Sequence, residues 1–241
     1  MSNGARQAEY LRAMGVDVWR RRGMAPPPPV APAAAPAAAV GVPAPDAAPP
    51  GDDWAALQAE VAACTRCELH RTRTQTVFGV GNRKADWLII GEAPGAEEDR
   101  RGEPFVGRAG QLLDNMLAAI GLDRKTAYIA NILKCRPPNN RDPQAAEVAA
   151  CEPYLQRQIA LIRPRLILAV GRVAAQNLLK TDLPLGRLRG RVHHYGPQRI
   201  PVIVTYHPAY LLRTPADKRK AWEDLRFAVR VFRERLVEGG Q

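Results

Sequence analysis

Four short, continuous apolar runs alternate with helix-like segments, and this alternation restricts the fold more than any other feature of the chain. The apolar runs are Trp87–Gly91, Ala127–Leu133, Leu166–Gly171 and Val202–Tyr206. The segments with apolar residues at helical spacing are Gln111–Ile120, Gln144–Leu161, Val173–Leu179 and Asp217–Leu236. Strands that are apolar on both faces are typical of a parallel sheet covered by helices on both sides. We therefore predict an α/β domain.

The residues at the ends of these strands are unusual for simple connections. In chain order they are Gly91-Glu92-Ala93-Pro94-Gly95, then Asn131 and Cys135, then Gly171-Arg172, and last His207-Pro208. Right-handed crossovers bring the C-terminal ends of parallel strands to one edge of the sheet. Ligands of open α/β sheets bind at that edge, so the sequence predicts a site there.

The segment Gly91–Gly95 has the wrong composition for a phosphate-binding loop, because Pro94 lacks an N–H donor and Glu92 carries negative charge. A carboxylate beside free backbone N–H groups suits a neutral polar ligand with both donors and acceptors, such as a nucleobase. Phe105 is a candidate for stacking on a flat ring, unless it packs in the core. Asn131 can pair with an N–H and a C=O of a base edge, unless it only terminates its strand.

The segment after the last strand combines an imidazole with two leucines and an arginine. His207 is followed by Pro208-Ala209-Tyr210 and then by Leu211, Leu212 and Arg213. An exposed leucine pair beside an arginine is suited to wedging into a stacked duplex. We predict that Leu211, Leu212 and Arg213 form such a DNA wedge.

The charge of the chain also favours a polyanionic partner. Its formal net charge is +11, and 29 of its 35 basic residues are arginines, which bind phosphates in a bidentate manner. A chain rich in Ala and Arg is also what a GC-rich genome encodes, so charge alone leaves a compositional explanation open. No apolar run has transmembrane length and no signal peptide is recognised. We expect a cytoplasmic, nucleoid-associated protein that has no membrane partner.

The N-terminal part of the chain has a different composition. Of the 27 residues from Met24 to Pro50, 21 are Pro or Ala, which is typical of an extended linker. We assign residues 1–23 to a short amphipathic segment, 24–51 to the linker and 52–241 to the globular domain. The amphipathic segment either docks on a protein partner, or it packs on its own domain or is mostly disordered.

The four cysteines form one plausible ligand set. Cys64 and Cys67 make a C-x2-C pair, and Cys135 and Cys151 lie far downstream. A tetrahedral thiolate site or an iron–sulfur cluster uses such sets. The wide spacing of the second pair favours iron–sulfur over zinc. The alternative is thiols that are merely buried, which the C-x2-C pair makes less attractive.

Taken together, these motifs resemble those of the thermophile-type, iron–sulfur uracil-DNA glycosylases (family 4). The resemblance covers Trp54 to Val231 and depends on the following motifs: Gly91-Glu-Ala-Pro-Gly95, Pro104-Phe-Val-Gly107, Asn131, Lys134-Cys-Arg-Pro-Pro138 and His207-Pro-Ala-Tyr-Leu-Leu-Arg213. It implies a three-layer α/β/α fold with a four-stranded, mostly parallel central sheet. It also implies that the enzyme flips uracil out of single- or double-stranded DNA, hydrolyses its N-glycosidic bond and leaves an abasic site.

The same resemblance implies roles for individual residues. Gly91, Glu92 and Ala93 would line the uracil pocket. Phe105 would stack on the extruded base, Asn131 would read its polar edge, and His207 would lie near uracil O2. Cys64, Cys67, Cys135 and Cys151 would hold a [4Fe-4S] cluster.

One position departs from the wider superfamily, in which the best-known enzymes have a water-activating Asp where this chain has Ala93. Glu92 and Asn140 are our candidates for holding the catalytic water. The short segment Cys135–Asp142 contains no His. This absence favours an enzyme that turns over, rather than a protein that stays covalently bound to the DNA. Two alternatives remain, a non-catalytic iron–sulfur or zinc nucleic-acid module and a nucleotide-phosphate enzyme, although a P-loop motif is missing. We expect a monomer.

Overall fold

Six strands form one mixed sheet in the computed structural model, which describes residues 54–238. The strands are β1 (Val80–Gly81), β2 (Trp87–Gly91), β3 (Ala127–Asn131), β4 (Leu166–Val170), β5 (His193–Tyr195) and β6 (Ile200–Thr205). Their spatial order is β1-β3-β2-β4-β6-β5. The predicted amphipathic segment (1–23) and linker (24–51) lie outside the described residues.

The predicted four-stranded parallel sheet is confirmed as the centre of this larger sheet. Strands β3, β2, β4 and β6 are mutually parallel, whereas β1 and β5 pair antiparallel at the two edges. The edge strands contain only two and three residues, too few to give a periodic apolar pattern. The central strands run within two residues of the predicted bounds.

The chain order of the central strands creates a switch point. From β2 the chain moves to one side to form β3, and it then crosses to the other side of β2 to form β4 and β6. In sheets of this kind ligands bind outside the carboxyl ends of the strands at the place where the order reverses. The register sets Gly91 directly beside Asn131 at that edge.

Eight α-helices occur in the described part of the chain. They are α1 (Trp54–Ala62), α2 (Ala96–Arg101), α3 (Arg108–Ala119), α4 (Ala145–Ile162), α5 (Arg172–Leu179), α6 (Leu185–Leu188), α7 (Pro208–Arg213) and α8 (Lys218–Glu238). The four helices predicted from periodicity correspond to α3, α4, α5 and α8. The short helices α2 and α7 were not predicted, because six residues hold too little pattern.

The helices cover both faces of the sheet, which gives the predicted three layers. Helices α1, α4 and α5 pack on the face formed by Leu88 and Ile90. Helices α3, α7 and α8 pack on the opposite face, formed by Trp87 and Ile89. Because all five residues of β2 are buried, no face of this strand is left for solvent. Among residues 54–238, no helix combines the length and apolar content needed to cross a bilayer.

Candidate active site

A cavity opens at the C-terminal edge of the central strands, where the strand order predicts a ligand. We call it the edge cavity. The predicted site residues that line it are Glu92, Ala93, Phe105, Asn131, Asn140, His207 and Arg213. The structure therefore brings together side chains from the ends of three strands and from two loops.

Gly91, a predicted pocket residue, does not line the edge cavity itself, but its lack of a side chain lets two lining residues approach its backbone. A Cβ atom at this position would lie 2.4 Å from Asn131 Oδ1 and 2.5 Å from the Phe105 ring. Backbone and ring could approach this closely only over glycine. The Phe105 ring lies 5.6 Å from the His207 ring, at an interplanar angle of 33°. The side chains of Asn131, Phe105 and His207 thus all border the edge cavity.

Asn131 presents a buried amide to the edge cavity. The residue is 2% exposed, and its Oδ1 atom has no hydrogen-bond partner among the described residues. Its backbone carbonyl, by contrast, accepts a hydrogen bond of 3.0 Å from Lys134 Nζ. A buried polar atom without a partner is costly, so its position in a cavity indicates a ligand with a complementary group.

His207 is held as a neutral hydrogen-bond donor. It precedes α7, and its Nδ1 accepts a hydrogen bond of 3.1 Å from the Ala209 N–H. The proton of the neutral ring is therefore on Nε2. Burial, reinforced by the positive charge of Arg213, lowers the pKa of His207 to about 4. At neutral pH the ring can donate a hydrogen bond without carrying charge.

Glu92 is the titratable carboxyl group of the edge cavity. Burial raises its pKa to about 7, the negative charge of Asp142 adds to the shift, and Arg172 opposes it. Arg172 itself forms an ion pair of 2.6 Å with Asp142, so its charge is shared. A carboxyl group with a pKa near neutrality can exchange protons at the working pH of most enzymes.

Asn140 is the more exposed of the two water-binding candidates. It lies in the 3₁₀ turn Pro138–Asn140, and its Oδ1 accepts a hydrogen bond of 2.8 Å from Arg136 Nε. This contact orients the amide and leaves the Nδ2 protons for a ligand or water. Ala93 lines the same cavity without any polar group, in agreement with the departure seen in the sequence.

The four cysteines line a second cavity, on the sheet face covered by α1 and α4. Little free space remains between their side chains, and we call this volume the cysteine cavity. Cys64 and Cys67 follow α1, Cys135 follows β3, and Cys151 lies in the middle of α4. Among residues 54–238, no three His, Cys, Asp or Glu side chains are placed to hold a single metal ion.

Two N–H donors are directed at sulfur in the cysteine cavity, while burial raises the pKa of the Cys135 thiol and raises that of Cys151 to about 11. Arg73 Nη1 donates a hydrogen bond of 3.0 Å to Cys135 Sγ. The Lys134 backbone N–H donates one of 3.2 Å to Cys151 Sγ. Donors aimed at sulfur stabilise cluster-bound thiolates, so the residues present fit an iron–sulfur centre.

Comparison with known proteins identifies the family. A model of the uracil DNA glycosylase superfamily matches residues 78–226. The type-4 uracil-DNA glycosylase of Archaeoglobus fulgidus is 48% identical over 174 residues, which are 69% of this chain and 87% of that protein. Those of Saccharolobus solfataricus and Pyrobaculum aerophilum are 45% and 43% identical, over 69% and 67% of this chain and 81% and 86% of their own lengths.

The chain belongs to the type-4 uracil-DNA glycosylases. The resemblance inferred from the sequence motifs is thereby confirmed, and so is the expected fold. The match to the family model begins at residue 78, well after the Pro/Ala-rich linker of this chain, so the family membership concerns the α/β domain.

One part of the predicted DNA wedge of this type-4 glycosylase is corrected. Leu211 is 0% exposed and packs in the apolar core beneath α7, because it lies on the helix face that covers the sheet. It is not available to contact DNA. Leu212 is 36% exposed and Arg213 lines the edge cavity, so for these two residues the wedge stays a prediction.

Sequence reasoning missed the residue that organises the cavity wall. Both carboxylate oxygens of Glu98 accept backbone hydrogen bonds, Oε2 from Gly95 and Oε1 from Val106 and Gly107. The available signal was a glutamate three residues after Gly95, which is the spacing of a helix capping box. Glu98 thus joins the Gly91–Gly95 turn to the loop that carries Phe105.

Proposed function

We propose that this protein hydrolyses the N-glycosidic bond of deoxyuridine in DNA and leaves an abasic site. The observation that carries the proposal is the buried Asn131 amide, whose Oδ1 has no partner among the described residues, in the same cavity as a neutral His207. Both groups can form hydrogen bonds with a ligand whose donors and acceptors have fixed positions. Family membership supports the same activity.

Asn131 and Phe105 would recognise the flipped base. An amide can accept from uracil N3–H through Oδ1 and donate to uracil O4 through Nδ2, which matches uracil and mismatches cytosine. The Phe105 ring, fixed over Gly91, offers a flat apolar face for stacking. Gly91 would contribute by letting Asn131 and Phe105 approach each other, and Ala93 by leaving room for the base.

His207 would stabilise the leaving group. As the N1–C1′ bond breaks, its electron pair moves onto uracil and negative charge develops at O2. A preorganised Nε2–H donor lowers the energy of this state more than that of the bound substrate. The neutral ring suits this role, because it donates without giving up its proton.

Glu92 and Asn140 would hold the attacking water in place of the missing Asp at Ala93. The water oxygen bonds to C1′, and its proton passes to Glu92 or to the departing uracil anion. An ionised Glu92 would also stabilise the positive charge that develops on the sugar. Asn140 donates through Nδ2, since Arg136 occupies its Oδ1.

Leu212 and Arg213 would contact the DNA around the flipped nucleotide. Both follow His207 on α7, so the wedge and the donor to uracil belong to one rigid element. The formal charge of +11 favours binding to the phosphates of uracil-containing DNA.

We further propose that Cys64, Cys67, Cys135 and Cys151 hold a [4Fe-4S] cluster. Four thiols around one cavity, with N–H donors directed at two of them, support this cofactor. When bound, the cluster would contribute structurally, because it ties the segment after α1 to β3 and α4. We also propose a monomer in the cytoplasm, with residues 1–23 available to a protein partner through the linker 24–51.

The first experiment is incubation of the full chain with single- and double-stranded oligonucleotides that carry one uracil, followed by an assay for abasic sites. Excision supports the glycosylase. DNA binding without excision would instead favour a non-catalytic iron–sulfur or zinc module. Hydrolysis of free nucleotides without excision would favour the nucleotide-phosphate enzyme.

A further inference from the structure

The backbone at Phe105 is unusual. Its φ angle is +56°, in the left-handed region that bulky residues rarely adopt. Such a conformation persists only when the surrounding structure holds it, and it is often found at functional sites. Since the ring of Phe105 lines the edge cavity, what holds this backbone also determines the position of the ring.

Arg124 holds the backbone from one side. Its Nη1 donates a hydrogen bond of 3.0 Å to the Pro104 carbonyl, and its Nη2 donates to the Phe105 carbonyl. Its Nε donates a bond of 2.8 Å to Asp114 Oδ1 on α3, which fixes the plane of the guanidinium group. The planar fork therefore binds two successive carbonyl groups at once.

Two further features hold the loop in place. The Glu98 carboxylate accepts from the N–H groups of Val106 and Gly107, directly after Phe105. Gly110 on α3 lies so close that a Cβ there would be 1.6 Å from the Phe105 carbonyl oxygen. The Pro104 and Phe105 carbonyls are thus bound by the positively charged Arg124. The N–H groups of Val106 and Gly107 are bound by the negatively charged Glu98.

We propose that Arg124 is a positioning residue for base recognition, although it does not line the edge cavity. By holding the Pro104 and Phe105 carbonyls it would fix the Phe105 ring at the angle at which it can stack on uracil. Lysine cannot replace it, because a single ammonium group lacks the fork that reaches two carbonyls. This inference rests on the proposed function.

A double-mutant cycle tests the inference directly. Single-turnover excision and inhibition by free uracil are measured for the full-length wild type, Arg124→Ala, Phe105→Ala and the double variant. Loss of a base–aromatic stack costs roughly tenfold or more, so Arg124→Ala should weaken uracil inhibition by about tenfold. If Arg124 acts through Phe105, the double variant should be no worse than Phe105→Ala.

Matched variants separate positioning from stability. Asp114→Asn keeps both carbonyl contacts, and Arg165→Ala removes an exposed ion pair with Asp86 far from the loop, so both should inhibit like the wild type. Arg124→Lys keeps the charge and should fold, yet still show the defect. Full rescue by lysine, additive effects in the cycle or unchanged uracil inhibition would overturn the inference. If the wild type does not excise uracil, the proposed function itself is contradicted. If the wild type is active and Arg124→Ala shows wild-type uracil inhibition, only the inference about Arg124 is contradicted.

Discussion

The edge cavity and the cysteine cavity are both lined by residues at or just after the end of β3, but they are built in different ways. Asn131 lines the first, and Cys135, four residues later, lines the second. Around the edge cavity, the wall is fixed by hydrogen bonds within the protein, such as those of Glu98. Around the cysteine cavity, three separate chain segments approach one volume; contacts such as those of Arg73 with Cys135 and with the Ala62 carbonyl join them, and the proposed cluster would join them further.

The comparison teaches that the edge cavity is preformed by the fold, whereas the proposed cluster in the cysteine cavity would help to complete the fold. Ligand binding in the edge cavity should change activity without changing the fold. Loss of the ligand in the cysteine cavity should release the segment that carries Cys64 and Cys67, and with it α1. The predictions below test this difference.

The largest effect is expected from Cys67→Ser. We expect loss of iron, loss of the brown colour and poor solubility together, because metal binding at such sites is coupled to folding. The wild type should contain about four irons per chain, as in other clusters of this type. A colourless, active wild type with one bound zinc would contradict the cluster. His207→Ala serves as the matched control and should keep its iron.

In the edge cavity, His207→Ala should lower the single-turnover rate by roughly a hundred- to a thousandfold, the usual cost of removing one preorganised donor. The iron content and the preference for uracil over cytosine should stay unchanged. Excision from matched oligonucleotides measures both quantities. A wild-type rate would show that the ring does not contact the departing base.

Asn131→Asp should change which base is removed. A carboxylate can accept from the amino group of cytosine, and it lacks the amide donor that uracil O4 requires. We expect the preference for uracil over cytosine to fall by roughly a hundredfold, since polar pockets discriminate through unpaired groups. Rates on paired uracil and cytosine substrates give the ratio. An unchanged ratio would move base recognition away from Asn131.

Glu92 should set the pH dependence. Its raised pKa of about 7 means that the carboxylate is mostly ionised above pH 7 and mostly protonated below it. If the ionised form holds the water, the rate should fall by about tenfold between pH 8 and pH 6. His207, with a pKa of about 4, should not titrate in this window. In Glu92→Gln the rate should be low and flat; a wild-type slope in this variant would assign the titration elsewhere.

The smallest effect is expected from removing residues 1–50. No candidate site residue lies in this segment, so a chain that begins at Gly51 should keep its iron and its single-turnover rate on a short uracil oligonucleotide. A drop of about a hundredfold, the size expected for loss of a catalytic group, would place part of the segment in the catalytic domain.

The central sheet was predictable because buried parallel strands leave an unmistakable apolar pattern, as in Leu166–Val170. The location of the site followed from topology, since parallel strand ends meet at one edge. Glu92, Asn131 and His207 could therefore be grouped before any coordinates were known. The short edge strands and α7 could not be predicted, because two to six residues carry too little periodicity.

Roles that depend on which way a side chain points were harder to predict. Leu211 and Leu212 are identical in sequence terms, yet one lies in the core and the other at the surface, because α7 turns about 100° per residue. Arg124 binds backbone carbonyls about 20 residues earlier in the chain, a contact without a sequence signature, whereas for Glu98 only the capping-box spacing after Gly95 gave a signal. The linker and the amphipathic segment before Trp54 remain predictions.

The strand order β3-β2-β4-β6 also has a consequence for how the molecule acquires activity. The edge cavity needs Glu92 from the first central strand and His207 from the last, which are separated by most of the domain. Contacts at such sequence separation form late, because loop-closure entropy must be overcome first. A partly folded chain would have basic surface but no assembled cavity. Such a chain would bind DNA without excising uracil, so excision would depend on completion of the whole sheet.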